Sequence, residues 1–130
     1  MKQMKPLTRA EEEIMQILWS KGECFVHDIL EEFDEPKPAY NTVSTVVRIL
    51  EKKEYVGHHT YGKSHKYYAL ISKKEYTRSY LSGLMSGYFS GSYKQLVSFF
   101  SKEENLSVQE MEEIRSLIDT QIEKKKQDPE

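Results

Sequence analysis

Cysteine is nearly absent from this chain. Cys24 stands alone in 130 residues, so an intrachain disulfide is excluded and so is a multi-cysteine metal cage. No apolar run approaches the length that crosses a bilayer, and the N-terminus has no secretory pattern. The sequence lacks a phosphate-cradling glycine loop, a nucleophile elbow and a pair of carboxylates spaced for acid–base work. Glu11-Glu12-Glu13 and Glu112-Glu113 read as solvated helix faces. These absences point away from an enzyme and toward a protein of a reducing, cytoplasmic compartment. With 31% charged and 38% hydrophobic residues, the composition is that of an ordinary globular chain, one domain or two very small ones.

Excess charge of one sign is also lacking overall, at a formal −2, but not locally. Residues 1–35 carry 4 basic and 9 acidic side chains, a balance of −5. Residues 36–70 carry 6 basic and 2 acidic ones, a balance of +4, together with His58, His59 and His65. Residues 71–130 hold 9 basic and 10 acidic groups and are close to neutral. The positive charge is therefore confined to a segment whose pattern is of special interest.

In that segment Val43, Val46, Val47 and Leu50 fall on one helical face. The opposite face carries Asn41, Thr45, Arg48 and Lys52, with Thr42 and Ser44 on its flanks. Asn pairs bidentately with adenine, Arg does so with guanine, the Thr methyl meets the thymine methyl, and Lys suits phosphate. This spacing predicts a reader helix over about residues 39–53. Upstream, Thr8 and Glu11 form a capping-box pattern that opens a first helix, with Leu7, Ala10, Ile14, Ile17 and Leu18 as its buried stripe. Lys21-Gly22 ends it. Residues 24–26 read as a short extended piece and residues 27–33 as a second short helix. Strand-like segments at 55–60 and 65–70 flank a turn at residues 61–64, where Gly62 supplies the positive φ a tight hairpin needs. Helix, short strand, two helices and a hairpin is the order of a winged helix-turn-helix. Tyr61, Lys63 and Lys66 of the wing are then candidates for backbone contact, the two lysines with phosphate. The three wing histidines invite a metal reading, but no cysteine or acid is evident beside them; Cys24 reads as a small buried residue.

The C-terminal part differs in kind. Ser72/Glu75 and Ser107/Glu110 repeat the capping-box pattern. Gly and Ser between residues 82 and 92 predict a break near Gly87. The helices so bounded carry Tyr80 and Leu84, then Tyr93, Leu96, Val97 and Phe100, then Met111, Ile114 and Ile118. About sixty residues in such helices bury their own apolar stripes poorly. A second copy of the chain is the expected partner, through those nine residues. The architecture expected is mainly α with a small β-hairpin, divided into a winged helix-turn-helix at residues 1–71 and a helical dimerisation region at 72–130. A two-fold dimer places two reader helices about one DNA turn, or a multiple of it, apart, so a palindromic double-stranded operator is expected. A winged-helix module for protein–protein contact is the alternative from another class. A small-molecule-responsive repressor, with its ligand among the aromatic residues of the dimer region, is a second.

The segments Leu7-Thr8-Arg9-Ala10-Glu11, Ile17-Leu18-Trp19, 41–48, Leu50-Glu51-Lys52-Lys53, Tyr61-Gly62-Lys63, Tyr67-Tyr68, 72–76, Leu106-Ser107 and Glu112-Glu113-Ile114, in that order and spacing, resemble the penicillinase-repressor family over about residues 7–122. The resemblance implies a cytoplasmic bacterial repressor, homodimeric, that binds palindromic promoter DNA; no cofactor is expected. It also implies a membrane sensor with a protease domain that triggers cleavage inside the dimerisation region, a response to antibiotic. In several members the cleaved bond joins Asn to Phe. The anchors Leu96-Val97 and Leu106-Ser107 put that bond at Phe99-Phe100, where no Asn stands. The copper-responsive branch uses paired C-terminal cysteines, which this chain lacks. An Arg that the family carries near the end of the reader helix is displaced here, with Ile49 following Arg48.

Overall fold

In the computed structural model, residues 4–103 and 105–128 are described. They form α1 (Arg9–Lys21), α2 (Val26–Glu31), α3 (Tyr40–Lys52), β1 (Val56–Tyr61), β2 (Ser64–Ala69), α4 (Lys73–Tyr88), α5 (Tyr93–Ser101) and α6 (Val108–Gln127). Each start has a local cause. Thr8 Oγ1 accepts the Glu11 N–H at 3.2 Å while Glu11 Oε1 accepts the Thr8 N–H at 2.9 Å. The same reciprocal pair joins Ser72 to Glu75 and Ser107 to Glu110. These bonds satisfy donors that a helix start otherwise leaves free.

The buried stripe of α1 is Glu11, Ile14, Met15 and Leu18. It is rotated from the expected one: Ala10 is exposed, Ile17 half-buried, and Met15 takes their place. The second helix begins at Val26, earlier than expected, and ends before Phe33. Cys24 still makes an extended contact: it forms an isolated bridge with Tyr67, giving its N–H to Tyr67 O at 2.9 Å and accepting in return at 2.7 Å. This bridge ties the α1–α2 connection to the wing. The wing itself is a two-stranded antiparallel hairpin running from Val56↔Ala69 to Tyr61↔Ser64, and Gly62 at φ 61° turns it in two residues.

Val43, Val47 and Leu50 of α3 meet Ile14, Met15 and Leu18 of α1, Val26 and Ile29 of α2, Tyr55 just before β1, and Val56 and Tyr67 of the hairpin in one core. Each such side chain contributes about 1.5–3 kcal/mol by leaving water. The core thereby fixes the rotation of α3 about its axis, and that rotation decides which residues α3 offers to a partner.

By its internal contacts the chain divides between Leu81 and Ser82. The first unit holds α1 to β2 and the start of α4. Tyr76 of α4 gives its hydroxyl proton to Glu12 Oε2 at 3.1 Å and packs its ring near Trp19 and Tyr55. Trp19 Nε1 donates to Ile71 O at 2.8 Å. The second unit holds the rest of α4 with α5 and α6, and neither α5 nor α6 has a buried residue. The break expected near Gly87 is found there, with α4 ending at Tyr88. Gly83 and Gly87 are accommodated within α4, and the chain turns where Ser90 and Gly91 both adopt positive φ, 51° and 75°. A glycine inside a helix costs only about 1 kcal/mol, whereas two left-handed residues in succession end it.

Candidate nucleic-acid interface

With Val43, Val47 and Leu50 turned inward, Asn41, Thr42, Thr45, Arg48 and Lys52 are exposed and Ser44 is half-exposed. The exposed face is internally ordered. Thr45 Oγ1 donates to Asn41 O at 2.8 Å, and Arg48 Nη2 lies 3.5 Å from Thr45 Oγ1. The guanidinium is thus aligned along the helix with most of its donors unspent. Ile49, 40% exposed, adds an apolar point beside them.

The wing stands next to this helix through a link that sequence reasoning missed. Nδ1 of His58 in β1 is in hydrogen-bonding contact with the Glu51 carboxylate of α3. The expectation that no acid lies near the wing histidines is therefore corrected. Glu51 and His58 are seven apart in sequence and are brought together only by the fold-back after α3. His58 also packs against His65 at 4.1 Å between ring centroids. Among the described residues no group of three His, Cys, Asp or Glu is arranged to hold a metal ion. The contact serves to fix the wing relative to α3.

Tyr61 and Lys63 are exposed at the wing tip. Lys66 is placed differently from an outstretched phosphate ligand: its Nζ lies 5.4 Å from the centroid of the Phe25 ring, a cation–π contact. Burial, followed by the charge of Glu51, pushes the Tyr67 phenol above its ordinary pKa despite the opposing effect of Arg48, so Tyr67 stays a neutral core residue. Burial likewise pushes the Cys24 thiol up, aided by Asp28. A thiol so held is a poor nucleophile, in keeping with a packing role.

The predicted dimerisation residues are spread over α4, α5 and α6. Tyr80, Tyr93, Val97 and Ile118 are exposed, and Leu84, Leu96, Phe100, Met111 and Ile114 are half-buried. Phe99 is exposed and stands edge-on to Phe89 at 5.9 Å, while Phe100 is partly covered.

The family model for the penicillinase repressor matches residues 7–120. The chain belongs to the penicillinase repressor family. It is 27% identical over 113 residues to the methicillin resistance regulatory protein MecI of Staphylococcus aureus (strain N315), an alignment covering 86% of this chain and 92% of that protein. It is 22% identical over 128 residues to the penicillinase repressor of Bacillus licheniformis, covering 98% of this chain and all of that one. Among solved structures, the solution structure of the DNA-binding domain of the repressor BlaI matches with a TM-score of 0.50 at 25% identity, over 58% of this chain and 94% of that domain. The fold of the first unit is that of a winged-helix DNA-binding domain, and the family is one of repressors rather than enzymes. Among the described residues no helix is long and apolar enough to cross a membrane.

Proposed function

We propose that this member of the penicillinase repressor family is a transcriptional repressor that binds a palindromic operator as a homodimer. Helix α3 enters the major groove, with Asn41, Thr45 and Arg48 at base edges and Thr42, Ser44 and Lys52 at their flanks. The wing follows the backbone through Tyr61 and Lys63. The observation that carries this reading is the face 41–45–48–52: it is polar and exposed, and ordered from Asn41 to Arg48, on a helix whose other face is locked into the core. The local balance of +4 over residues 36–70 supplies the attraction to phosphate that the whole chain's −2 does not.

The second copy is supported by apolar surface. Tyr80, Tyr93, Val97, Phe99, Leu117, Ile118 and Ile122 are exposed large hydrophobics on α4, α5 and α6. Large apolar side chains left exposed on these helices are suited to an interface. Release from the operator acts through the same helices. A sensor-triggered protease that cuts near Phe99-Phe100 separates the two readers without touching either one. The reading is tested by selecting sites from random duplex DNA near physiological salt, then titrating the winner against a scrambled duplex. A palindrome bound about a thousandfold tighter than scrambled DNA is the expected result. Binding that ignores sequence and disappears with added salt would leave only a basic patch.

A further inference from the structure

Beside the reader helix lies a small cleft to which the DNA contacts above assign only Ser44 and Lys63. It sits where the start of α2, the start of α3 and the wing tip converge, and its volume is about 140 Å³. Its lining is polar: His27, Tyr40, Ser44, Lys63, Ser64 and His65. That is below the roughly 300 Å³ at which pockets for small organic ligands begin, yet roomy for one compact anionic group. Phe25 also lines it, and its ring is in contact with three neighbours. The His27 ring lies parallel to it at 5.7 Å, the Tyr61 ring stands edge-on at 6.0 Å, and the Lys66 ammonium lies over it. Lys66 is thereby held in place and Lys63 is left to reach outward. One acid is close: Asp28 Oδ1 lies 3.3 Å from His27 Nε2. Its other oxygen accepts the Phe25 N–H at 2.9 Å, so this carboxylate is engaged with the backbone of its own helix.

We infer that this cleft seats one backbone phosphate of the operator in each half-site, with Tyr40 and His27 as donors and Lys63 as the charge. The inference rests on the DNA reading above and adds His27 and Tyr40 to it. Both are exposed, and neither belongs to the core. Two lining residues, Ser44 and Lys63, already belong to the interface, so a duplex seated on α3 brings its backbone across the mouth of the cleft. Hydroxyl, imidazole and ammonium groups converging from three elements match a phosphodiester, which offers only acceptors and a negative charge. Such a contact sets register on the duplex and carries no sequence information.

The test pairs protein variants with altered DNA. Operator duplexes carrying a single neutral methylphosphonate at successive backbone positions are titrated with the full-length protein and with the double variant His27→Ala, Tyr40→Phe. At one position per half-site the neutral linkage is expected to weaken the unaltered protein about tenfold and the double variant not at all. On ordinary DNA the double variant is expected to lose the same factor on operator and on scrambled duplex. Lys63→Ala is expected to reduce the salt slope of binding by about 0.9. If every methylphosphonate penalises variant and unaltered protein alike, the seat is overturned while the reader assignment stands. If the unaltered protein prefers no duplex over scrambled DNA, both are overturned. Because both substitutions lie on the surface, matching thermal melts of variant and parent are the check that folding is intact.

Discussion

Glu11 does two things at once. Only 4% exposed, it closes the cap of α1 and forms an ion pair at 2.8 Å with Lys53, which lies just past the end of α3. Burial by itself raises its pKa, but the Lys53 ammonium and the Thr8 N–H outweigh this, and the carboxyl titrates below its ordinary value. A lowered carboxyl pKa adds stability at neutral pH that is lost as pH falls through the folded-state value. Glu11→Gln is therefore expected to destabilise the fold by about 2 kcal/mol at pH 7, less than the roughly 3–5 kcal/mol of a fully buried pair because the part-exposed Lys53 can turn to water. The deficit should shrink as pH falls below the ordinary carboxyl value of 4.5. Urea titrations at pH 7 and pH 3 check both the size and the sign. At the interface, the same residue-level reasoning separates Arg48 from Lys52. Arg48→Ala should cost about 1–3 kcal/mol on operator and relax base choice at one position, whereas Lys52→Ala should weaken all duplexes evenly. Site selection repeated with each variant distinguishes them.

Among the elements, α4 has a docked start. Its Tyr76 hydroxyl is pushed up to about 12, by burial first and then by the bond to Glu12. The raised value favours the protonated phenol, so this stabilisation is complete below about pH 10 and lost as pH rises toward 12. Tyr76→Phe keeps the rings beside Trp19 and Tyr55 and gives up only the hydrogen bond, a loss of about 1 kcal/mol. Tyr76→Ala also removes the ring and should cost about 3 kcal/mol or more. Thermal unfolding followed by Trp19 fluorescence reports on both. The signals that could be read from the sequence were the local ones. Three capping boxes, the Val43–Val47–Leu50 face and the Gly62 turn each need only residues a few positions apart, and each has one physical cause. What escaped depends on the finished fold. Glu11 looked like part of a solvated acidic run because its burial requires Lys53 to arrive from 42 residues away. The Glu51–His58 contact exists only once the wing folds back on α3. The end of α4 at Tyr88 falls beside Gly87 as expected, but that Ser90 and Gly91 carry the left-handed turn is set by the folded backbone.

For the whole molecule, the proposed control depends on whether two readers are held together. A single α3 and wing bury little surface on DNA, and their attraction is largely electrostatic. Two of them joined through α4 to α6 convert the second contact into an intramolecular one, which raises affinity by about 10²–10⁴ without a new contact to DNA. The double substitution Val97→Asp, Ile118→Asp tests this in the full chain. Both side chains are exposed, at 40% and 46%, so charges there leave the core of the first unit untouched. The variant is expected to sediment as a monomer, to melt its first unit as the parent does, and to bind an isolated half-site with parental affinity. On the full palindrome it should lose that factor of 10²–10⁴. A variant that is monomeric yet binds the palindrome as tightly as the parent would show that operator occupancy does not depend on the C-terminal helices. A cut near Phe99-Phe100 could then not release DNA by separating the readers.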